Sequence, residues 1–268
     1  MDQIALISGL LACLFYGLGT YQLVQGLRGD GEFNRTRMLS LAGLALLAHS
    51  IHVHLTLWTP GGLQLGVISI AALFTLVVTC LGTAICLFRK IDPLLAPAYP
   101  LALLSLLPSI FYSDAVLPRH DLQGGIIIHI LASIIAYSVM TLAFSQAVLL
   151  WIQNYQLKHR HIHDILKLLP PLQTMESMLF DLVSIGFLLL SVAIGSGFIY
   201  VEDLFAQHLA HKTFLTLAAT GVFGVLLLGR FLWGWRGMVA ARWTLTGFAL
   251  LLVGYFGSKV VLEVVLAR

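Results

Sequence analysis

Long apolar runs, barely interrupted by charge, dominate this chain, and eight of them approach the length of a membrane crossing. A helix needs about 20 mainly apolar residues to cross a ~30 Å hydrocarbon core. The runs lie at about Ile4 to Gly26, Met38 to Leu57, Val67 to Phe88, Pro93 to Phe111, Gly124 to Ile152, Met178 to Tyr200, Thr213 to Trp233 and Trp243 to Leu266. Backbone groups in lipid must bond within their own segment, so each run is expected to be a helix. The strict alternation of a membrane barrel is absent. The expected fold is all-α: a polytopic membrane helix bundle of about eight transmembrane helices. No stretch between the runs is long enough for a second globular domain, so residues 1–268 are expected to form one membrane-embedded domain.

Composition excludes most other classes. Only 10% of residues are charged and 59% are hydrophobic, against about 25% charged in soluble domains. A soluble enzyme, a disordered tail and a nucleic-acid-binding domain are therefore ruled out. The lipid bilayer is the expected surrounding, and no nucleic-acid partner is expected. The net charge of +3 is small, so the placement of the charges carries more information than their sum.

That placement sets an expected topology. Arg28, Arg35 and Arg37 follow the first span, Arg89 and Lys90 the third, Lys158, Arg160 and Lys167 the fifth, and Arg230, Arg236 and Arg242 the seventh. The alternate loops hold only Arg119 and Lys212, with Lys259 and Arg268 near the end of the chain. Basic loops stay on the cytoplasmic side, so both termini are expected on the outer (periplasmic) side. The first residues, Met1, Asp2 and Gln3, carry no basic leader region, and the first span is expected to be retained. Trp151, Trp233, Trp235 and Trp243 fall at inner span ends and Trp58 at an outer one, as interfacial aromatics do. Four prolines, Pro93, Pro97, Pro100 and Pro108, predict a bent or partly unwound fourth span. Gly221, Gly224, Gly247, Gly254 and Gly257 are expected to let helices approach closely. Cys13, Cys80 and Cys86 lie in apolar segments with no C-x-x-C spacing, and read as buried small hydrophobes.

The ten histidines are the informative residues. Seven fall on or near the outward side: His49, His52, His54, His120, His129, His208 and His211. His159, His161 and His163 lie in the basic stretch after the fifth span, which reads as a helical extension on the inner membrane surface. His49 lies within the second span, about eight residues and roughly 12 Å inside its outer end at 1.5 Å per residue. An ionisable group at that depth is costly unless it faces the bundle interior with a partner. His52, at i+3, shares its face, and His54 is rotated away. His129 sits about one turn inside the fifth span. His208 and His211, spaced i,i+3, precede the seventh span and read singly as solvated loop residues. Spans two, five and seven thus each offer an outer-half histidine. Two such imidazoles can ligate a haem from both faces; the alternative is a neutral histidine bonding a neighbouring helix.

Further stretches resemble a known family. His-Ile-Leu-Ala-Ser-Ile-Ile-Ala-Tyr at 129–137, Met-Glu-Ser-Met-Leu-Phe-Asp-Leu-Val-Ser-Ile-Gly-Phe-Leu-Leu-Leu at 175–190, Gly-Ser-Gly-Phe-Ile-Tyr at 195–200, Gly-Trp-Arg-Gly at 234–237 and Tyr-Phe-Gly-Ser at 255–258 resemble the haem-handling membrane proteins of cytochrome c assembly. These are the CcsA/CcmC type, with the shorter HemX-like and YpjD-like groups, and the bacterial inner-membrane YpjD group is the nearest of them. The resemblance covers about residues 124–262. It implies a multi-pass protein of the bacterial inner (plasma) membrane, acting in cytochrome c-type biogenesis and binding haem. It places His129 at an external haem-ligating position and likens His49 to the early-helix histidine of the shorter members. The larger members' external Trp-rich motif, ending Trp-Asp-Pro-Lys-Glu-Thr-Trp, is missing here; only Lys212-Thr213 stands in roughly its place. The family histidine before Gly-Trp-Arg-Gly is replaced by the stretch Gly229 to Leu232.

The expected function is a haem-binding, haem-handling membrane protein with a b-type, non-covalent haem, since the chain has no C-x-x-C-H for covalent attachment. The expected ligands are His49 and His129, with His211 and His52 as further candidates. Haem is the expected partner, with another inner-membrane protein as a second. No enzymatic activity is expected, because the Trp-rich motif is absent and no Ser/His/Asp or phosphate-binding motif occurs. The alternative is a haem-free scaffold that stabilises another membrane protein. A transporter or proton relay is disfavoured by the scarcity of acidic residues in the spans, where Lys259 and Glu263 read as an i,i+4 pair.

Overall fold

The computed structural model describes residues 3–28, 33–112, 124–158, 169–200 and 207–254. Among them eight α-helices follow in order: α1 (Gln3–Arg28), α2 (Arg35–Leu57), α3 (Val67–Arg89), α4 (Leu95–Phe111), α5 (Gly124–Lys158), α6 (Leu172–Tyr200), α7 (Gln207–Trp233) and α8 (Met238–Leu252). The strand content of the described residues is one tight hairpin after α2, with Trp58 opposite Leu63 and Thr59 opposite Gly62. The protein is an all-α, polytopic membrane protein. Seven helical segments are long and apolar enough to cross a bilayer, the fourth counted with the turn before it. The helix in the stretch expected as the eighth span starts earlier than predicted, at Met238 immediately after Gly237; the rest of that stretch, beyond Gly254, lies outside the described residues, as do His120, His159, His161 and His163 and the inner-surface helix expected around them.

The helices divide into two compact units, Met1–Leu122 with Gln156–Pro170, and Gln123–Tyr155 with Pro171–Arg268. In the first, α1 packs on α2 and α4, and α3 packs on the same two helices, closing a four-helix ring. Every helix here is apolar nearly all round, so hydropathy does not choose the buried face. Small residues choose it instead, by letting backbones approach where lipid offers no competing hydrophobic drive. Thus α1 turns Ala5, Ser8, Gly9, Ala12, Tyr16, Gly19 and Leu23 inward, and leaves Ile4, Ile7, Leu11, Leu14 and Leu18 outside.

Proline shapes the junction of α3 and α4. Lys90 ends α3 in the left-handed region at φ 42°, and a 3-10 turn at Asp92–Leu94 carries Pro93 in its first positions. The unwinding expected for the fourth span is confined to that turn; α4 runs unbroken through Pro100 and Pro108. Asp92 accepts from Arg35 Nε at 3.1 and 3.2 Å, and Arg35 also donates to the Cys86 carbonyl. The start of α2 is thereby tied to the turn.

In the second unit α7 packs on α6 and α8, and Phe144 of α5 stacks on Phe248 of α8 at 4.6 Å between centroids. The Gly-Trp-Arg-Gly stretch is the corner between α7 and α8. Its two glycines have positive φ, 65° at Gly234 and 58° at Gly237, and the Trp235 N–H donates to the Gly229 carbonyl at 3.1 Å. The indoles of Trp233, Trp235 and Trp243 follow one another at 5.7 and 5.2 Å. Beside them Arg230 pairs with Glu176 at 3.2 Å and lies over the Phe180 ring at 4.4 Å. Of the glycines expected to permit close approach, Gly247 meets Phe223, Gly224 meets Phe187 and Gly254 meets Leu215, whereas Gly221 has open space around it. Gly257 lies outside the described residues.

Candidate functional site

The second-span histidines sort by face as their spacing predicts. His49 and His52 are fully enclosed, at 0% exposure, and His54 is exposed beside the Trp58 ring. Each enclosed imidazole carries two nitrogens, of which one donates when the ring is neutral. Their partners therefore decide which nitrogen stays free.

For His52 both are engaged. Nδ1 lies 2.7 Å from the Ala5 carbonyl, an acceptor only, so Nδ1 carries the proton. Nε2 lies 2.8 Å from the Ser109 hydroxyl and accepts from it. In this arrangement His52 joins α1, α2 and α4 and presents no lone pair to a ligand.

His49 differs. Its Nδ1 is 3.2 Å from the Tyr16 phenol, which is 3.0 Å from Thr79 Oγ1. Thr79 Oγ1 is in turn 2.8 Å from the Thr75 carbonyl and 3.0 Å from that of Leu76. Tyr16 thereby links His49 on α2 to Thr79 on α3. The remaining nitrogen, Nε2, is buried and meets no partner in full hydrogen-bonding geometry, while the Ala72 carbonyl acts on this imidazole as an acceptor.

His129, in the second unit, is half-buried near the start of α5. Its Nδ1 lies 2.9 Å from the Ala193 carbonyl and 3.3 Å from Ser196 Oγ, both on α6. The carbonyl again fixes the proton on Nδ1 and leaves the lone pair on Nε2. One turn earlier, the Tyr200 ring packs so closely over Gly125 that a Cβ there would lie 2.1 Å from it, which presses this end of α5 onto α6. A metal-binding histidine usually has its other ring N–H donated to a carbonyl or comparable acceptor; His129 meets that condition, and His52 spends its second nitrogen on Ser109.

His208 lies on the first turn of α7 and His211 on the next; α7 begins at Gln207 and is helical where a loop was expected, and the side chains of both histidines lie outside the described residues. No cluster of three or more His, Cys, Asp or Glu among the described residues could hold a bare metal ion. Sequence reasoning missed Tyr16 and Thr79, whose only signal was a hydroxyl at mid-depth in an otherwise apolar span.

Residues 38–266 match the cytochrome C assembly protein family. Over 263 residues the chain is 28% identical to the inner membrane protein YpjD of Escherichia coli strain K12, covering 97% of this chain and 99% of that one. It is 31% identical over 156 residues to an uncharacterized 28.8 kDa protein of Azospirillum brasilense, covering 56% of this chain and 58% of that protein. No solved structure matches.

Proposed function

The chain belongs to the cytochrome C assembly protein family, and from that membership we propose that it is an inner-membrane protein that binds haem without covalent attachment, His129 supplying an axial nitrogen. The observation that carries the reading is the bond from His129 Nδ1 to the Ala193 carbonyl, which frees Nε2 and holds the ring. His49, enclosed on α2, is the candidate ligand of the other unit. The E. coli relative's printed name supports the inner-membrane location. Haem would supply the redox-active iron; the chain would supply imidazole donors and apolar enclosure. No catalytic role is proposed for the chain itself, and another inner-membrane protein is the natural partner for passing haem on.

One observation favours a haem-free scaffold instead. Both nitrogens of His52 are spent on helix contacts, the behaviour of a packing histidine. Absorption spectroscopy of the detergent-purified protein, titrated with haem, separates the two readings. A saturable Soret band that weakens in His129→Ala and His49→Ala is the expected result. A folded protein that gives no saturable spectral change would establish the scaffold.

A further inference from the structure

A polar cavity of about 240 Å³ opens where α1 ends and α2 begins, lined by Gln22 and Gln25 of α1 and by Phe33, Asn34 and Arg37 around the start of α2. We infer that it holds the headgroup of a phosphatidylethanolamine molecule. Arg37 takes the phosphate, Gln22 Oε1 takes the ammonium, and an acyl chain lies along the exposed leucines of α1.

The side chains of the wall divide into those already spent and those left over. Asn34 Oδ1 accepts from the Arg37 backbone N–H at 3.0 Å and caps α2. Gln25 Nε2 donates to the Tyr21 phenol at 2.8 Å. The Phe33 ring is seated against α1 at Gly26, where a Cβ would lie 2.8 Å from it. Two groups remain. Gln22 Oε1 is shielded from water and has no hydrogen-bond partner, although a buried carbonyl oxygen ordinarily has one. The Arg37 side chain is exposed, and its guanidinium makes no hydrogen bond or ion pair among the described residues. A guanidinium presents a planar fork of donors that suits phosphate. An amide oxygen beside an aromatic ring suits an ammonium, which has three N–H donors and is drawn to ring faces. Ethanolamine phosphate joins those two charges in one small group.

Size and surroundings narrow the ligand further. At about 30 Å³ per liquid water the cavity exceeds what one bridging water needs, and it is smaller than the roughly 300–1,000 Å³ of a typical small-molecule pocket. Arg28, Asn34 and Arg37 mark the level at which the chain leaves the hydrocarbon, where headgroups lie. Leu11, Leu14 and Leu18 are exposed and, at steps of three and four residues, form one stripe that continues through Tyr21 to Gln25 on the cavity wall. A soluble phosphate ester would use the cavity alone; a phospholipid covers cavity and stripe together. Asp30 and Glu32, in the connection between the two helices, lie outside the described residues and play no part in the assignment.

Phosphatidylcholine is the discriminating probe. With matched acyl chains it offers the same phosphate and the same apolar body, but its trimethylammonium has no N–H to give Gln22. Native mass spectrometry of the delipidated full chain in detergent, titrated with dioleoyl phosphatidylethanolamine or dioleoyl phosphatidylcholine, reads both affinities without any haem. The wild type is expected to bind the ethanolamine lipid about three- to tenfold more tightly, the worth of one hydrogen bond. Gln22→Leu is expected to remove that preference by weakening the ethanolamine lipid alone. Arg37→Gln is expected to weaken both lipids about tenfold, as loss of one charge-assisted bond does. Arg242→Gln, exposed on α8, is expected to change neither.

Glycerophosphoethanolamine, the same headgroup without acyl chains, is expected to displace the lipid only in large excess. Displacement at concentrations equal to the lipid's would assign the cavity to a soluble phosphate ester and overturn the lipid assignment. Equal wild-type affinities for the two lipids, a preference that survives Gln22→Leu, or binding unmoved by Arg37→Gln would each overturn it as well. If Gln22→Leu does not fold, the wild-type preference and Arg37→Gln, a change on an exposed side chain, still decide.

Discussion

Nε of Arg35 stands 3.1 Å from Oδ2 of Asp92, joining the first turn of α2 to the 3-10 turn that separates α3 from α4. The Asp92 side chain is 9% exposed and that of Arg35 32%, so the two ends of the pair differ in access to water. The Cys86 carbonyl takes a second bond from the same guanidinium.

That asymmetry predicts unequal costs. Arg35→Ala strands an enclosed carboxylate and is expected to destabilise by about 3 kcal/mol, the low end for breaking a buried pair. Asp92→Asn leaves an arginine that can turn toward water while keeping its Cys86 bond, and about 1 kcal/mol is expected. Thermal unfolding in detergent checks the order, and the double variant should cost less than the sum of the two. Equal single-variant costs would contradict the unequal burial.

Gly9 predicts a local clash at the other end of the same helices. A Cβ there would lie 2.7 Å from Ile110 Cγ1 and 2.8 Å from His52 Nδ1, whereas Gly17 has nothing within 4 Å. Gly9→Ala is expected to lose about 1–3 kcal/mol through overpacking. Gly17→Ala is expected to be neutral or to gain up to about 1 kcal/mol from helix propensity. Melting temperatures of the two variants, measured side by side, separate packing from propensity. A destabilised Gly17→Ala would count against this face assignment for α1.

The corner between α7 and α8 should be equally selective. A Cβ on Gly229 would sit 2.2 Å from the Trp235 indole, so Gly229→Ala must displace the ring and the turn it closes. Gly234, at φ 65° with open space around it, meets only backbone strain, worth roughly 1–2 kcal/mol for a residue with a Cβ. Gly229→Ala is therefore expected to be the more damaging. Tryptophan fluorescence reports the difference, because Gly229→Ala should disturb the Trp233, Trp235 and Trp243 series and Gly234→Ala should leave its emission near the wild type.

Local arithmetic makes part of this site legible in the sequence. The i,i+3 spacing put His49 and His52 on one face and turned His54 away, which is how they lie. The helix ends were readable to within a few residues at most spans, because charged and turn-forming residues mark them. Tyr16 and Thr79 were not readable as partners of His49, since α1 and α3 are apolar all round and hydropathy does not show which face turns inward. By sequence Arg35 and Arg230 read as loop charges that set topology; their pairing with Asp92 and Glu176 depends on which helices are neighbours in space. The division into two units was hidden for the same reason, as every span has a similar apolar character. Gly-Trp-Arg-Gly was legible as a family stretch, but its role as a corner needed the two positive φ angles.

The two bonds to His129 Nδ1 make the last prediction. The Ala193 carbonyl, at 2.9 Å, is the closer acceptor, and the Ser196 hydroxyl, at 3.3 Å, donates to the same carbonyl at 2.9 Å. Ser196 is thus already committed to its own helix, and its loss leaves the tautomer of His129 unchanged. Ser196→Ala is expected to keep haem affinity within about twofold, since a longer second contact adds little to a ring already fixed by a carbonyl. His129→Ala should abolish the part of the Soret response that depends on this imidazole. Adding free imidazole to His129→Ala should restore that part if the lost group is a ligand, and should restore nothing if His129 only packs α5 against α6. The comparison therefore tests coordination at Nε2 separately from the structural bond at Nδ1, and a large loss in Ser196→Ala would show that the ring is held more loosely than the Ala193 bond implies.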